Sequence, residues 1–186
     1  MGYNPCFIAN EFIKLAERSR RLNPENRFGY ANNYYIPALV LQKMVFVAHG
    51  YVLALLGHPL SDENPKKVRE YGADRIVFPS LDEKLSVYGV ETVMHRLTVK
   101  PIMDNATCPK LLGAEKEIIE GLWVVQEEHC FDNDFWTLNI TPFLGYTGEI
   151  EDRAIYNYFK DVVSVLDPSL AIAPFKQQKV MDALRA

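Results

Sequence analysis

The stretch LVLQKMVFVAHGYVLALLG at residues 39–57 is the longest apolar run in the chain of 186 residues. Its length is close to that of a membrane span, but Gln42, Lys43 and His49 interrupt it. A lysine at the centre of a membrane helix costs about 2.5–3.5 kcal/mol on the insertion scale. We therefore expect a helix over residues 37–56 that neighbouring elements bury on several sides.

Helical periodicity extends outward from this central helix in both directions. Apolar stripes at helical spacing predict further helices over residues 7–22, 79–87, 114–127, 152–166 and 176–185, and a short one carrying Phe135, Trp136 and Leu138. Residues 67–70 and 76–78 are candidates for a small β-hairpin, and residues 91–102 fit strand and helix equally well. Residues 147–152 are expected to form a turn. The sequence therefore predicts a mainly α fold, a single domain over residues 1–186 with six or seven helices.

The composition is that of a folded, mildly acidic protein. Apolar residues make up 48% and charged residues 24%, which is enough to bury a core. The net charge of −4 lacks the basic footprint of a nucleic-acid-binding protein. Cys6, Cys108 and Cys130 form no paired framework, and the first residues show no basic region followed by an apolar run. We therefore expect reduced thiols and a cytoplasmic location, with no membrane and no nucleic acid as partner.

Motifs for catalysis, metal binding and phosphate binding are missing from the sequence. The four histidines have no metal-ligand spacing, no serine lies in a GxSxG motif, and none of the ten glycines belongs to a phosphate-binding loop. We therefore expect no catalytic residue, no cofactor and no metal. A hydrolase or nuclease that acts through Glu70, Asp74 or His95 is kept as a minor alternative.

The segment between the first two predicted helices is the best candidate for a partner-binding surface. Arginine and aromatic residues are enriched at the energetic centres of protein interfaces, whereas a plain solvated loop favours Lys, Glu and Ser. The predicted contact residues are Arg20, Arg21, Arg27, Phe28, Tyr30, Tyr34 and Tyr35. The alternative is that the tyrosines simply cover one end of the central helix.

Three short sequence motifs occur in the same order as in a known protein family. Residues 9–13 read ANEFI; residues 40–60 contain VLQKMVFVAHGY, LAL and GHPL, followed by Asp62 and Glu63; residues 70–80 contain EYG and VFPS. Their content and order resemble the Panacea (SocA-like) antitoxin family, which includes phage-associated members. Ala73 stands where the family has a proline. The resemblance covers about residues 7–126, and residues 127–186 diverge.

The resemblance implies a helical domain without enzymatic activity that binds another protein. Members of the family neutralise toxins, either by masking them or, for SocA-like proteins, by delivering them to a protease. An alternative is a phage-encoded inhibitor of a bacterial defence complex, in which residues 127–186 of the same scaffold carry the new contacts. The expected partner is a toxin or a host or defence protein in the bacterial cytoplasm, with no cofactor.

Overall fold

The computed structural model describes residues 2–22, 36, 38–70, 72–86, 109–111, 113–128 and 133–165. The described residues form helices α1 (Pro5–Leu22), α2 (Ala38–Leu56), α3 (Pro79–Ser86), α4 (Ala114–Glu128), α5 (Asn133–Ile140) and α6 (Asp152–Val165), and strands β1 (Lys66–Glu70), β2 (Ala73–Val77) and β3 (Gly148–Glu149). A 3-10 turn, Thr141–Phe143, follows α5 directly. The mainly α fold with a small β-hairpin is confirmed. The predictions for residues 91–102 and 176–185 lie outside the described residues.

Helix α2 lies at the centre of the fold, as the apolar run predicts. It packs against α1, α3, α4, α5, α6 and β2. Among the described helices, α2 is long and apolar enough to cross a membrane, yet 72% of its most apolar window is buried inside the fold. The helix ends at Leu56 because Gly57 adopts a left-handed φ of 73° and donates its N–H to the Leu53 carbonyl at 3.0 Å.

Helix α1 begins two residues earlier than the periodicity predicts. The Asn4 side-chain oxygen accepts a hydrogen bond from the Cys6 N–H at 2.9 Å, and Pro5 occupies the first helical position. Both features start a helix because they satisfy or remove N–H groups that have no partner in the first turn. At the far end, Trp123 of α4 donates its indole N–H to the Ser19 hydroxyl at 3.0 Å, which joins α4 to α1.

The three strands form an antiparallel sheet in the order β2-β1-β3. The hairpin runs from the pair Lys66 and Val77 to the pair Glu70 and Ala73, and Gly72 takes a φ of 79° in its turn. The prediction of a turn over residues 147–152 is wrong for Gly148–Glu149, which pair with β1. A strand of two residues has no alternation to detect, and it is held by long-range bonds such as that from the Ile150 N–H to the Pro65 carbonyl at 2.8 Å.

Aromatic rings fill the space between α2 and α6. The Phe46 ring centroid lies 5.1 Å from that of Phe143 and 6.0 Å from that of Phe159, both in edge-to-face geometry. Such geometry is favourable because ring edges and faces carry opposite partial charges. Burial, and then the nearby Tyr158, raise the pKa of the Tyr51 hydroxyl well above its usual range. This cluster makes the α2–α6 contact the main packing surface of the core.

Gly50 allows Phe159 to approach the backbone of α2, which leads to a test of the packing. A Cβ atom at position 50 would overlap the Phe159 ring, which is fully buried. Replacing glycine by alanine inside a helix ordinarily stabilises it by about 1 kcal/mol. Here Gly50→Ala is expected to destabilise the protein by about 1–3 kcal/mol, measured by urea denaturation, because the core must shift. The penalty should shrink in a Phe159→Leu background, and a stabilised Gly50→Ala would contradict this packing.

Candidate functional site

The loop predicted to bind a partner falls mostly outside the described residues. Arg21 is exposed at the end of α1, where its guanidinium pairs with the Glu17 carboxylate. Arg20 lies in the same helix turn, and its side chain is not described. The other predicted contacts, Arg27, Phe28, Tyr30, Tyr34 and Tyr35, lie outside the described residues, as do His95, Cys108 and Cys130. The loop interface therefore stays a prediction.

His49, which interrupts the apolar run, joins three parts of the fold. Its ring is fully buried, with Nδ1 accepting the Ser61 N–H at 3.0 Å and Nε2 lying 2.8 Å from Asp152 Oδ1. Because Nδ1 accepts a backbone N–H, we assign the ring proton to Nε2, which donates it to Asp152. The Asp152 side chain is 39% exposed, so its carboxylate contacts both solvent and the buried His49 ring. The arrangement is a structural clamp, since no solvent reaches the imidazole.

Two further side chains connect the hairpin and α3 to the centre of the fold. The Gln42 carbonyl oxygen accepts the Phe78 N–H at 3.1 Å, directly after β2. One Glu63 carboxylate oxygen accepts both the N–H and the hydroxyl of Ser80 at 3.0 Å, in the first turn of α3. The sequence predicts that the second hairpin strand extends to Phe78, but β2 ends at Val77. The Phe78 N–H donates to Gln42 instead, and α3 begins at Pro79.

The bond from Gln42 to Phe78 leads to a second test. Gln42 is 2% exposed and Phe78 is fully buried, so removing the acceptor leaves an N–H without a partner in the core. An unsatisfied buried donor costs about 1–3 kcal/mol, but Gln42→Leu also removes the buried Gln42 Nε2 that has no partner, so we expect a loss of stability near the lower end of that range in urea denaturation. Asn157→Leu, which removes an exposed amide from α6, is the matched control and should change stability by less than about 0.5 kcal/mol. Equal stability of the two variants would show that the hydrogen bond from Phe78 to Gln42 does not stabilise the core.

A cavity of about 190 Å³ lies between α2, β2 and the segment formed by α5 and its 3-10 turn. Its apolar wall consists of the side chains of Leu39, Ile76, Val77, Ile140 and Leu144. An engineered apolar cavity of about 150 Å³ holds a benzene molecule, so this space can take one ring or one large side chain. The cavity is more enclosed than the groove at the other end of α2.

The polar residues around the cavity are only partly satisfied. Lys43 donates to the Thr137 hydroxyl at 2.8 Å, across the cavity from α2 to α5. Within the described part of the chain, Gln42 Nε2, Asp74 Oδ1 and Arg75 Nε are buried and have no hydrogen-bond partner. All three side chains line the cavity. Native proteins leave few such groups unpaired, and each one calls for an explanation.

The two carboxylates of the hydrolase alternative that the structure describes lie on the hairpin beside this cavity. The Arg75 guanidinium pairs with Glu70, and Lys67 Nζ lies 3.7 Å from Asp74 Oδ2. Each carboxylate therefore has a cation beside it. Over the described ranges, no group of three His, Cys, Asp or Glu side chains is placed to hold a metal ion.

A second, shallow groove of about 440 Å³ lies at the other end of α2. Leu53, Gly57 and Pro59 form one side, and Arg153 and Tyr156 of α6 form the other. Tyr156 is 40% exposed, and Lys160 Nζ lies 5.7 Å from its ring centroid. No buried polar atom without a partner belongs to its lining residues, so it offers less recognition chemistry than the cavity.

The fold and the site together define a mainly α protein with a small antiparallel sheet and a partly polar cavity beside its central helix. Comparison with protein-family models, curated proteins and solved structures finds no match to this chain.

Proposed function

We propose that the chain is a non-enzymatic, antitoxin-like protein of the bacterial cytoplasm that binds and neutralises a toxin or host protein. The partner is masked directly or delivered to a protease. The resemblance of residues 9–13, 40–60 and 70–80 to the Panacea (SocA-like) family supports this function. The mainly helical fold agrees with the kind of domain that the resemblance implies.

One observation carries the proposal: the three resembling segments bond and pack to one another. Ala9 and Phe12 of the first segment are fully buried in the core that includes α2. Gln42 of the central segment binds the Phe78 N–H of the third, and Glu63 binds Ser80. The three segments that carry the resemblance therefore lie together in one packed scaffold.

Since the resembling residues are mostly buried, they specify the scaffold, and partner contacts must come from exposed residues and cavities. Arg21 is exposed on α1 and shortly precedes the predicted loop in the sequence. Arginine and tyrosine anchors in that loop supply the contact chemistry that interfaces favour.

Coexpression tests the proposal directly. The chain is expressed together with the product of its neighbouring gene, and bacterial growth is measured against each protein alone. We expect the neighbouring product to arrest growth and the chain to restore it, while the destabilised Phe46→Ala variant restores it less. A toxic neighbour that the chain does not rescue would overturn the proposal. If no neighbour is toxic and the chain binds a large host defence assembly, the phage-encoded inhibitor replaces the antitoxin.

The predicted loop has its own test. The double variant Arg27→Ala, Tyr30→Ala is expected to lose about 2 kcal/mol or more of partner binding in calorimetry, with an unchanged melting temperature. Arg153→Ala with Tyr156→Ala removes the same two residue types from the exposed face of α6 and is the matched control. Normal binding by the loop variant, or loss of binding that follows early melting, would assign the loop a structural role instead.

A further inference from the structure

We propose that the cavity beside β2 receives an extended, uncharged segment of the partner protein. The segment adds to the outer edge of β2 as a further strand and inserts one large apolar side chain into the cavity. This inference rests on the proposed function, because it names the chemistry of the partner that such a protein binds.

In the described part of the chain, β2 is an outer strand, and β1 pairs with only one of its sides. All five residues of Ala73–Val77 line the cavity, so the cavity runs along the whole strand. An open strand edge is a template for an extended peptide, which binds through its main-chain amides.

Gln42 indicates that this edge suits amide groups. Its side-chain carbonyl oxygen already accepts the Phe78 N–H, the first one after β2, at 3.1 Å. The amide nitrogen of the same side chain is buried without a partner. Helix α2 thus places a side-chain NH₂ group without an acceptor at one end of the strand. A peptide carbonyl oxygen could accept a hydrogen bond from it.

The charges around the cavity favour an uncharged occupant. Of the charged side chains that line the cavity, Arg75 pairs with Glu70 and Asp74 lies near Lys67, while Lys43 donates to the neutral Thr137 hydroxyl at 2.8 Å. The groups without a partner lack hydrogen bonds. Gln42 Nε2 and Arg75 Nε have no acceptor, and Asp74 Oδ1 has no donor. Peptide groups offer both, whereas a phosphate or carboxylate ligand offers acceptors only and would bring an unpaired charge.

The size and walls of the cavity define the anchor. A space of about 190 Å³ with aliphatic walls from Leu39, Ile140 and Leu144 matches one leucine or phenylalanine side chain. Interfaces draw most of their affinity from few such anchors that fill well-packed pockets.

Blocked single amino acids are the probes for the test. The full chain is labelled with ¹⁵N and titrated with N-acetyl-leucine amide and N-acetyl-phenylalanine amide, and separately with the blocked lysine and glutamate amides. We expect saturable shifts of the Gln42 side-chain NH₂ and of the Ala73–Val77 N–H signals with the apolar probes, and at least tenfold weaker binding of the charged ones. Absence of saturable shifts, or equal binding of charged probes, would overturn the proposal. Toluene binding as tightly as the phenylalanine probe would assign the cavity to small apolar molecules instead.

Cavity-filling variants test whether binding of the probes and growth rescue depend on the same cavity. Leu39→Trp fills the cavity from α2, and Leu55→Trp makes the same change at a partly buried position at the other end of that helix. We expect Leu39→Trp to lose probe binding and growth rescue at least tenfold, while Leu55→Trp keeps both. Ala73→Trp, at an exposed lining position, repeats the test if Leu39→Trp unfolds. Rescue that survives a filled cavity would overturn this inference and leave the proposed function standing, whereas a wild-type chain without rescue would overturn the proposed function.

Discussion

Phe46→Ala is expected to lower the free energy of unfolding by about 3–5 kcal/mol, the largest single effect that the structure predicts. The Phe46 side chain is fully buried and meets the rings of Phe143 and Phe159 at centroid distances of 5.1 Å and 6.0 Å. Its removal therefore loses the burial of a whole ring and leaves a cavity between rigid neighbours. Urea denaturation measures the loss. Tyr156→Ala removes an exposed ring from α6 as the control, and a loss below about 1 kcal/mol for Phe46→Ala would contradict the buried position of α2.

Leu53→Ala is expected to cost about 2–3 kcal/mol, in the lower half of the range of about 2–5 kcal/mol for buried leucines. Leu53 is 5% exposed and lies beside the shallow groove that Pro59 and Tyr156 also line. Because water or a shifted side chain can enter from that groove, the space left behind relaxes more easily than the space around Phe46. The same denaturation experiment measures both variants. A cost equal to that of Phe46→Ala would mean that the groove is closed in solution.

Most of the fold could be predicted because helical periodicity is a local signal. The apolar run at residues 39–57 identifies the central helix, and α4 and α6 begin at Ala114 and Asp152, the first residues of the predicted helices. The exceptions depend on contacts between distant residues. Strand β3 exists because Gly148 and Glu149 meet Lys67 and Lys66, which no pattern within the segment indicates.

The cavity was not predicted, although one signal for it is present in the sequence. Gln42, Lys43 and His49 lie in a helix that is apolar on almost every face, and buried polar groups require partners. That requirement predicts that hydrogen-bond partners lie near these three side chains, but it does not say which residues they are. The partners are Phe78, Thr137 and Asp152, which are brought there only by the packing of β2, α5 and α6 against α2.

The loop around Arg27 and Tyr30 and the cavity beside β2 are separate proposals for partner contact. Loss of binding in the loop variant with normal probe binding would assign affinity to the loop alone. Loss in Leu39→Trp with an intact loop would assign it to the cavity. A partner that spans both surfaces would lose affinity in each variant.

Calorimetric titration of the purified chain with the product of its neighbouring gene is the most direct measurement of whether this is an antitoxin-like binding protein. We expect saturable binding with a Kd of about 1 μM or tighter, equivalent to about −8 kcal/mol. Binding should weaken at least tenfold when Leu39→Trp fills the cavity and should be unchanged in Leu55→Trp. A folded, toxic neighbouring product that gives no saturable binding to the folded chain would contradict an antitoxin-like function.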